Sequence, residues 1–192
     1  MKLAITGSSG AGKTTLAKAL STRLNIPLIN EDFSELIRAI TEFERGNAAF
    51  TKPSLLAALQ QFDEWLKRRA MFSSKTDCFI EDRFCFDALQ LMMSTKIGGL
   101  RPDVIQQLIT LANQQSSIYD LVIVLPIGSF SFNEHKNEDG LKRKNSFCEK
   151  IRSQSTTIGL LEQFCLAPRV YINASCKTTA QRLDYVMQAI NQ

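Results

Sequence analysis

The chain has a single histidine and a single tryptophan. Its five cysteines (Cys78, Cys85, Cys148, Cys165 and Cys176) form neither a C-x-x-C pair nor a cluster with His135. That distribution excludes a structural zinc site, which needs four clustered ligands, and implies free thiols in a reducing compartment. His135 lies in the polar stretch Asn133 to Gly140 and reads as a solvated loop residue rather than a catalytic base. Long hydrophobic runs are also missing. Stretches such as residues 121–127 fall far short of the about 20 apolar residues that cross a bilayer. No low-complexity tract or internal repeat interrupts the 192 residues, of which 44% are hydrophobic and 22% charged. These values suit one soluble domain, expected to span residues 1–192, with enough length to bury a full core. With no signal-peptide pattern ahead of the first motif, a cytoplasmic location is expected.

The net charge of +4 raises the question of nucleic acid, but the positives are spread along the chain apart from Lys67-Arg68-Arg69 and Lys142-Arg143-Lys144. The first cluster follows Trp65-Leu66 at helical spacing and reads as a solvated helix face. Nucleic acid is therefore not expected as a partner, nor a membrane; a homodimer is left open.

Strong chemistry is present at one place. Gly7-Ser8-Ser9-Gly10-Ala11-Gly12-Lys13-Thr14 fills every position of G-x-x-x-x-G-K-[ST], behind the apolar run Leu3-Ala4-Ile5 and ahead of Leu16-Ala17-Lys18-Ala19-Leu20. This is strand, phosphate loop, helix. With glycine at about 7% of residues, the pattern arises by accident in roughly one chain in a hundred of this length, and the flanking context lowers that further. The glycines let backbone N–H groups turn inward round a phosphate, and the first turn of the helix adds unpaired donors. The nucleotide-binding set is then Gly7, Ser8, Ser9, Gly10, Ala11, Gly12, Lys13, Thr14 and Thr15, with Lys13 on the β- and γ-phosphates of ATP and the Thr14 hydroxyl on Mg²⁺.

Downstream, strands are expected at 27–30, 78–80, 121–125 and 170–172. Helices are expected at about 34–41, from a Ser54 cap through Ala70, at about 87–95, 103–116 and 147–165, and at 178–190. A polar loop covers about 128–144. Strands alternating with helices predict a parallel sheet covered on both faces. Ligands of such sheets lie beyond the carboxyl ends of the strands. Glu31-Asp32 and Glu81-Asp82-Arg83 both fall there, where they can serve a phosphate site or simply cap the next helix.

The phosphate loop near residue 7, a carboxylate after strand two, Asp82-Arg83 with Asp87 four residues on, Tyr119-Asp120-Leu121-Val122-Ile123-Val124-Leu125, and Asp139-Gly140 with basic residues together resemble the small-molecule P-loop kinases. The ribosylnicotinamide-kinase-like branch is most similar, deoxynucleoside and thymidylate kinases more distantly. The resemblance covers nearly the whole chain and implies a P-loop NTPase three-layer α/β sandwich, with a roughly five-stranded parallel sheet and a lid at about 128–152. It implies transfer of the γ-phosphate of ATP, with Mg²⁺, to a small nucleoside- or nucleotide-like acceptor. By the same resemblance Asp32 or Glu31 takes the acceptor's hydroxyl proton, and Asp82 or Glu81 helps hold Mg²⁺ together with Thr14. Arg83 would stabilise the transferring phosphate, and Arg143, with Lys142, Lys144 and Arg152 as rivals, would close over it. Two departures stand out: Phe84 replaces the serine of the Glu-Arg-Ser motif, and Leu141-Lys142 displaces the arginine that commonly follows Asp-Gly. Gln60 and Gln61 resemble base-reading glutamines or are solvated. Phe33, Phe43, Phe50 and Trp65 are core residues or ligand-stacking ones. No Asn-Lys-x-Asp run is present to read guanine, which speaks against a GTPase. An ATPase, or a nucleotide-binding regulatory protein without an acceptor, remains the alternative.

Overall fold

A computed structural model describes residues 1–30, 33–34, 36–38, 52–94, 102–127 and 147–191. Five strands, β1 (Lys2–Thr6), β2 (Leu28–Asn30), β3 (Phe79–Asp82), β4 (Leu121–Val124) and β5 (Arg169–Tyr171), form one parallel sheet in the order β2-β3-β1-β4-β5. The helices among the described residues are α1 (Lys13–Leu24), α2 (Lys52–Lys75), α3 (Cys85–Met93), α4 (Pro102–Ser116), α5 (Phe147–Phe164) and α6 (Thr179–Ile190).

Side chains alternate across the central strands and so divide the interior into two cores. Leu3, Ile5, Ile80, Ile123 and Leu125 meet Leu16, Ala17 and Leu20 of α1 and Val186 of α6. Ala4, Phe79, Val122 and Val124 face the other way, toward Phe62 and Trp65 of α2, Leu89 of α3, Ala112 of α4 and Leu161 of α5. The result is the expected three-layer α/β sandwich. None of the helices among the described residues is long and apolar enough to cross a membrane.

Local chemistry sets the helix ends. Asn25 closes α1 in the left-handed region (φ 54°), its N–H bonded to the Ser21 carbonyl. Thr178 caps α6, accepting from the Gln181 N–H while the Gln181 side chain accepts from Thr178 N–H at 3.1 Å.

Three sequence expectations need correction. Strand β3 does not stop at Ile80 but continues through Glu81 and Asp82, which pair with Ala4 and Ile5. Charge ends a strand in sequence reading because burial of an unpaired carboxylate is costly, and both acids here are supplied with partners. Ser54 is not a helix cap: α2 begins at Lys52 and takes Pro53 into its first turn, where a missing N–H costs nothing. Arg69 is not on a solvated face. It is buried, whereas Lys67 is exposed and paired with Asp63 at 2.5 Å. Smaller shifts occur elsewhere: α3 starts two residues before Asp87, and β5 is displaced by one residue from the expected 170–172.

Candidate functional site

The phosphate loop joins β1 to α1 at the carboxyl edge of the sheet. Gly7 (φ 145°), Gly10 (φ 80°) and Gly12 (φ 91°) all occupy backbone conformations that side chains resist. At Gly7 the need is doubled, because a Cβ would stand 3.0 Å from Leu125 Cβ and 3.1 Å from the Leu125 carbonyl oxygen. Lys13, the first residue of α1, is buried and donates from Nζ to the carbonyls of Gly7 (2.7 Å) and Ser8 (2.9 Å). Its ammonium is thereby held inside the loop. Thr14 and Thr15 follow it on the exposed side of the first turn.

Asp82 comes to this loop from β3. It shares the strand face of Ile80, toward α1, and its Oδ2 accepts the Thr14 hydroxyl. Asp82 is buried, and its Oδ1 has no hydrogen-bond partner among the described residues. A buried carboxylate oxygen without a donor is rare. Together with the Thr14 oxygen it forms a hard-oxygen pair suited to Mg²⁺.

Glu81 points to the opposite face, with Phe79. Arg69 of α2 and the Tyr119 hydroxyl each donate to one of its carboxylate oxygens, and all three side chains are buried. Burial and then the Glu81 charge push the Tyr119 phenol well above its ordinary range. Strand alternation thus separates Glu81 from Asp82: Asp82 faces the loop and Glu81 the interior.

Arg83 is half-buried at φ 82°, a strained conformation for a residue with a side chain, and its N–H donates to the Ile5 carbonyl at 3.0 Å. The turn carries its guanidinium over the ring of Phe33, 5.5 Å from the centroid. Phe33 in turn meets Trp65 edge-on at 5.5 Å, and both are buried as core residues. Asp87 lies on the first turn of α3. It accepts the Thr6 hydroxyl at 2.9 Å and the Phe84 N–H at 3.0 Å. Burial raises its carboxyl above the ordinary range, a shift opposed first by the Lys13 ammonium.

Two further side chains touch the loop without having been singled out in the sequence. Gln154 of α5 bonds the Ser8 N–H, and Arg182 of α6 donates to the Ala11 carbonyl at 2.7 Å and the Cys176 carbonyl at 3.1 Å. Burial lowers the Arg182 guanidinium from its ordinary range. The available signal was a polar residue in an apolar stripe: Gln154 precedes Thr157, Leu160 and Leu161 at helical spacing, and Arg182 precedes Val186. Glu31, Asp32, Phe43, Phe50, His135, Lys142, Arg143 and Lys144 lie outside the described residues, as does the side chain of Gln61. Gln60 and Arg152 are exposed. All five cysteines are free thiols, and no cluster of three His, Cys, Asp or Glu side chains suited to a metal is found among the described residues.

Known proteins resemble this chain. The shikimate kinase of Bacteroides thetaiotaomicron is 27% identical over 125 residues, covering 62% of this chain and 68% of that protein. The deoxyadenosine kinase from M. mycoides superposes with a TM-score of 0.67 at 15% identity, over 100% of this chain and 98% of that one. The thymidylate kinase from Candida albicans gives a TM-score of 0.61 at 16% identity, over 99% and 90% of the two chains. Those two likenesses establish the fold, that of the P-loop kinases. A family model described as an AAA domain matches residues 2–181, from β1 through the phosphate loop and Asp82 into α6, and the chain therefore belongs to that family.

Proposed function

We propose that the chain is an ATP-dependent phosphotransferase, moving the γ-phosphate of ATP to a hydroxyl of a small nucleoside- or nucleotide-like acceptor, of which ribosylnicotinamide is one example. The observation that carries this reading is the pairing of Thr14 with Asp82 beside Lys13, with one buried Asp82 oxygen that has no donor among the described residues.

Thr14 and Asp82 would hold Mg²⁺, which when bound supplies charge neutralisation across the β- and γ-phosphates. Lys13 stands at the loop as the fixed cation for the same phosphates. Phosphoryl transfer has a loose transition state, so alignment and charge matter more than covalent help. Arg83 follows β3, the strand beside β1, and in this reading its planar fork serves two phosphate oxygens at once. Asp32 follows β2, the strand paired to β3, and takes the acceptor proton in this reading, with Glu31 as the neighbouring choice. Arg143 closes the site over the γ-phosphate from the segment before α5. Residues 1–192 act as one domain, and the cytoplasm is its place of work.

The test is incubation with γ-labelled ATP and Mg²⁺ against a panel of nucleosides, nucleoside monophosphates, ribosylnicotinamide and shikimate. Label on a nucleoside or nucleotide is the expected result. Label on shikimate alone would keep the reaction and replace the acceptor class. Acceptor-independent release of phosphate would make the chain an ATPase, and ATP binding with neither outcome would make it a nucleotide-binding regulator.

A further inference from the structure

The phosphate loop is braced from α5 by one side-chain amide. Gln154 is 3% exposed at the middle of that helix. Its Oε1 accepts the Ser8 N–H at 2.6 Å, and its Nε2 donates to the Leu125 carbonyl at 2.9 Å. Leu125 follows β4 and is the residue on which Gly7 rests. One amide thus spans the first turn of the loop and the end of the adjacent strand. Neighbouring side chains fix the helix in place: the Ser153 hydroxyl donates to Gln90 Oε1 of α3 at 3.0 Å. Lys150, one turn earlier, brings Nζ to 3.8 Å from the position a Cβ would take at Gly10.

A buried N–H and a buried carbonyl facing the same gap need a group that donates and accepts at once. Among uncharged side chains of this length, only glutamine does both. A carboxylate would only accept, and an alkyl chain would leave both backbone groups without partners. Packing alone asks for no amide there, since the same helix fills its other buried positions with Thr157, Leu160 and Leu161.

Resting on the nucleotide-binding part of the reading above, we propose that Gln154 is a positioning residue for the phosphate loop. It fixes the orientation of the Ser8 peptide against the end of β4, so that the N–H groups that follow and the Lys13 ammonium address a single phosphate position. Its effect is on phosphate affinity, exerted through the loop backbone.

The test compares wild type, Gln154→Met, Gln154→Glu and, as a packing control one turn on, Thr157→Val, whose hydroxyl donates within the helix to the Ser153 carbonyl. Dissociation constants for ATP·Mg²⁺ and for inorganic triphosphate are measured by calorimetry, and melting temperatures on the same samples. Gln154→Met should weaken both ligands about tenfold and in the same ratio, as a fall of the correctly oriented loop population to about a tenth would. Gln154→Glu should weaken both further, to about a hundredfold, because it sets a carboxylate against the phosphate position. Thr157→Val should leave both within about twofold. If Gln154 is only a packing residue, Gln154→Met and Thr157→Val will lower the melting temperature alike and leave both dissociation constants at wild-type values, and the proposal is then wrong. Should Gln154→Met fail to fold, Gln154→Asn, a neutral amide one methylene too short to reach both backbone groups, carries the same comparison. A wild type that binds ATP and phosphorylates no acceptor overturns the phosphotransferase reading and leaves this one intact. Wild-type binding by Gln154→Met in an active kinase does the reverse.

Discussion

Replacing Arg69 by methionine removes the guanidinium that pairs with Glu81 and keeps most of the volume. Glu81 would then be a fully buried carboxylate that keeps the Tyr119 hydroxyl but loses its guanidinium. Breaking such a pair from one side costs about 3–5 kcal/mol. Set against a total stability of about 5–15 kcal/mol for a domain, that is enough to bring a marginal protein close to unfolding at 37 °C. The arithmetic changes when the whole cluster is converted. Arg69→Met with Glu81→Leu removes the buried charge but takes from the Tyr119 hydroxyl the carboxylate it donates to, at about 1–3 kcal/mol. Adding Tyr119→Phe removes that too, and the triple variant should return to within about 2 kcal/mol of wild type, since apolar groups of similar shape replace buried ion pairs at little cost. Urea unfolding is the assay, followed by circular dichroism and by the fluorescence of Trp65, whose ring lies 5.9 Å from the Arg69 guanidinium. ATP affinity is measured in parallel and should not change, because Glu81 faces away from α1 and the loop. A loss below about 1 kcal/mol for Arg69→Met would show that Glu81 does not depend on this partner, and the reasoning from burial would fail.

The adjacent residue should behave in the opposite way. Asp82→Asn keeps shape and the contact with Thr14, so it should lower turnover by several powers of ten and weaken the Mg²⁺ dependence while changing stability by about 1 kcal/mol; an active but less stable variant would make Asp82 a structural residue. Asp87 has a folded-state pKa raised above its ordinary value of 3.8, so the folded chain takes up its proton first as pH falls. Its burial therefore costs stability at neutral pH, and that cost is relieved as pH drops through the raised pKa toward 3.8. Urea titrations from pH 7 to 4.5 should show wild type gaining stability relative to Asp87→Asn, and a constant difference would refute the shift. Finally, Asp32→Ala should abolish transfer to the acceptor with ATP affinity nearly unchanged, whereas Arg143→Ala should slow both transfer and background hydrolysis. Loss of transfer in Glu31→Ala alone would move the base by one residue, and full activity in both acid variants would remove strand two from the mechanism.

The sheet was legible because its signals are local. Buried parallel strands such as β4 are short apolar runs, and the glycines of the phosphate loop are spaced by the geometry of a phosphate. Asp82 could be placed at the loop from sequence only as one of a pair with Glu81. Choosing between them requires knowing that the strand continues through both, and that depends on Arg69 and Tyr119, which lie on other elements. The same applies to Gln154 and Arg182. Each looks like an ordinary polar helix residue until the fold brings it against Ser8 or Ala11, because no local pattern encodes a bond between residues so far apart in the chain.

The placement of β1 at the middle of the sheet has a consequence for how the chain folds. Lys2 pairs with Phe79 and Leu3 with Leu121, so the strand that carries the phosphate loop has no neighbour nearby in sequence. Each closure costs about 4 kcal/mol of chain entropy before its first contact forms. Local helices can flicker early, whereas β1 must wait for both flanks, and folding should be correspondingly slow, in the millisecond-to-second range of non-local topologies. Until β3 and β4 arrive, the loop has neither Asp82 nor the Leu125 platform beneath Gly7. A fragment ending before β4 would carry the whole phosphate motif and still bind no nucleotide, and during synthesis the protein would acquire its ligand only after most of its length had been made.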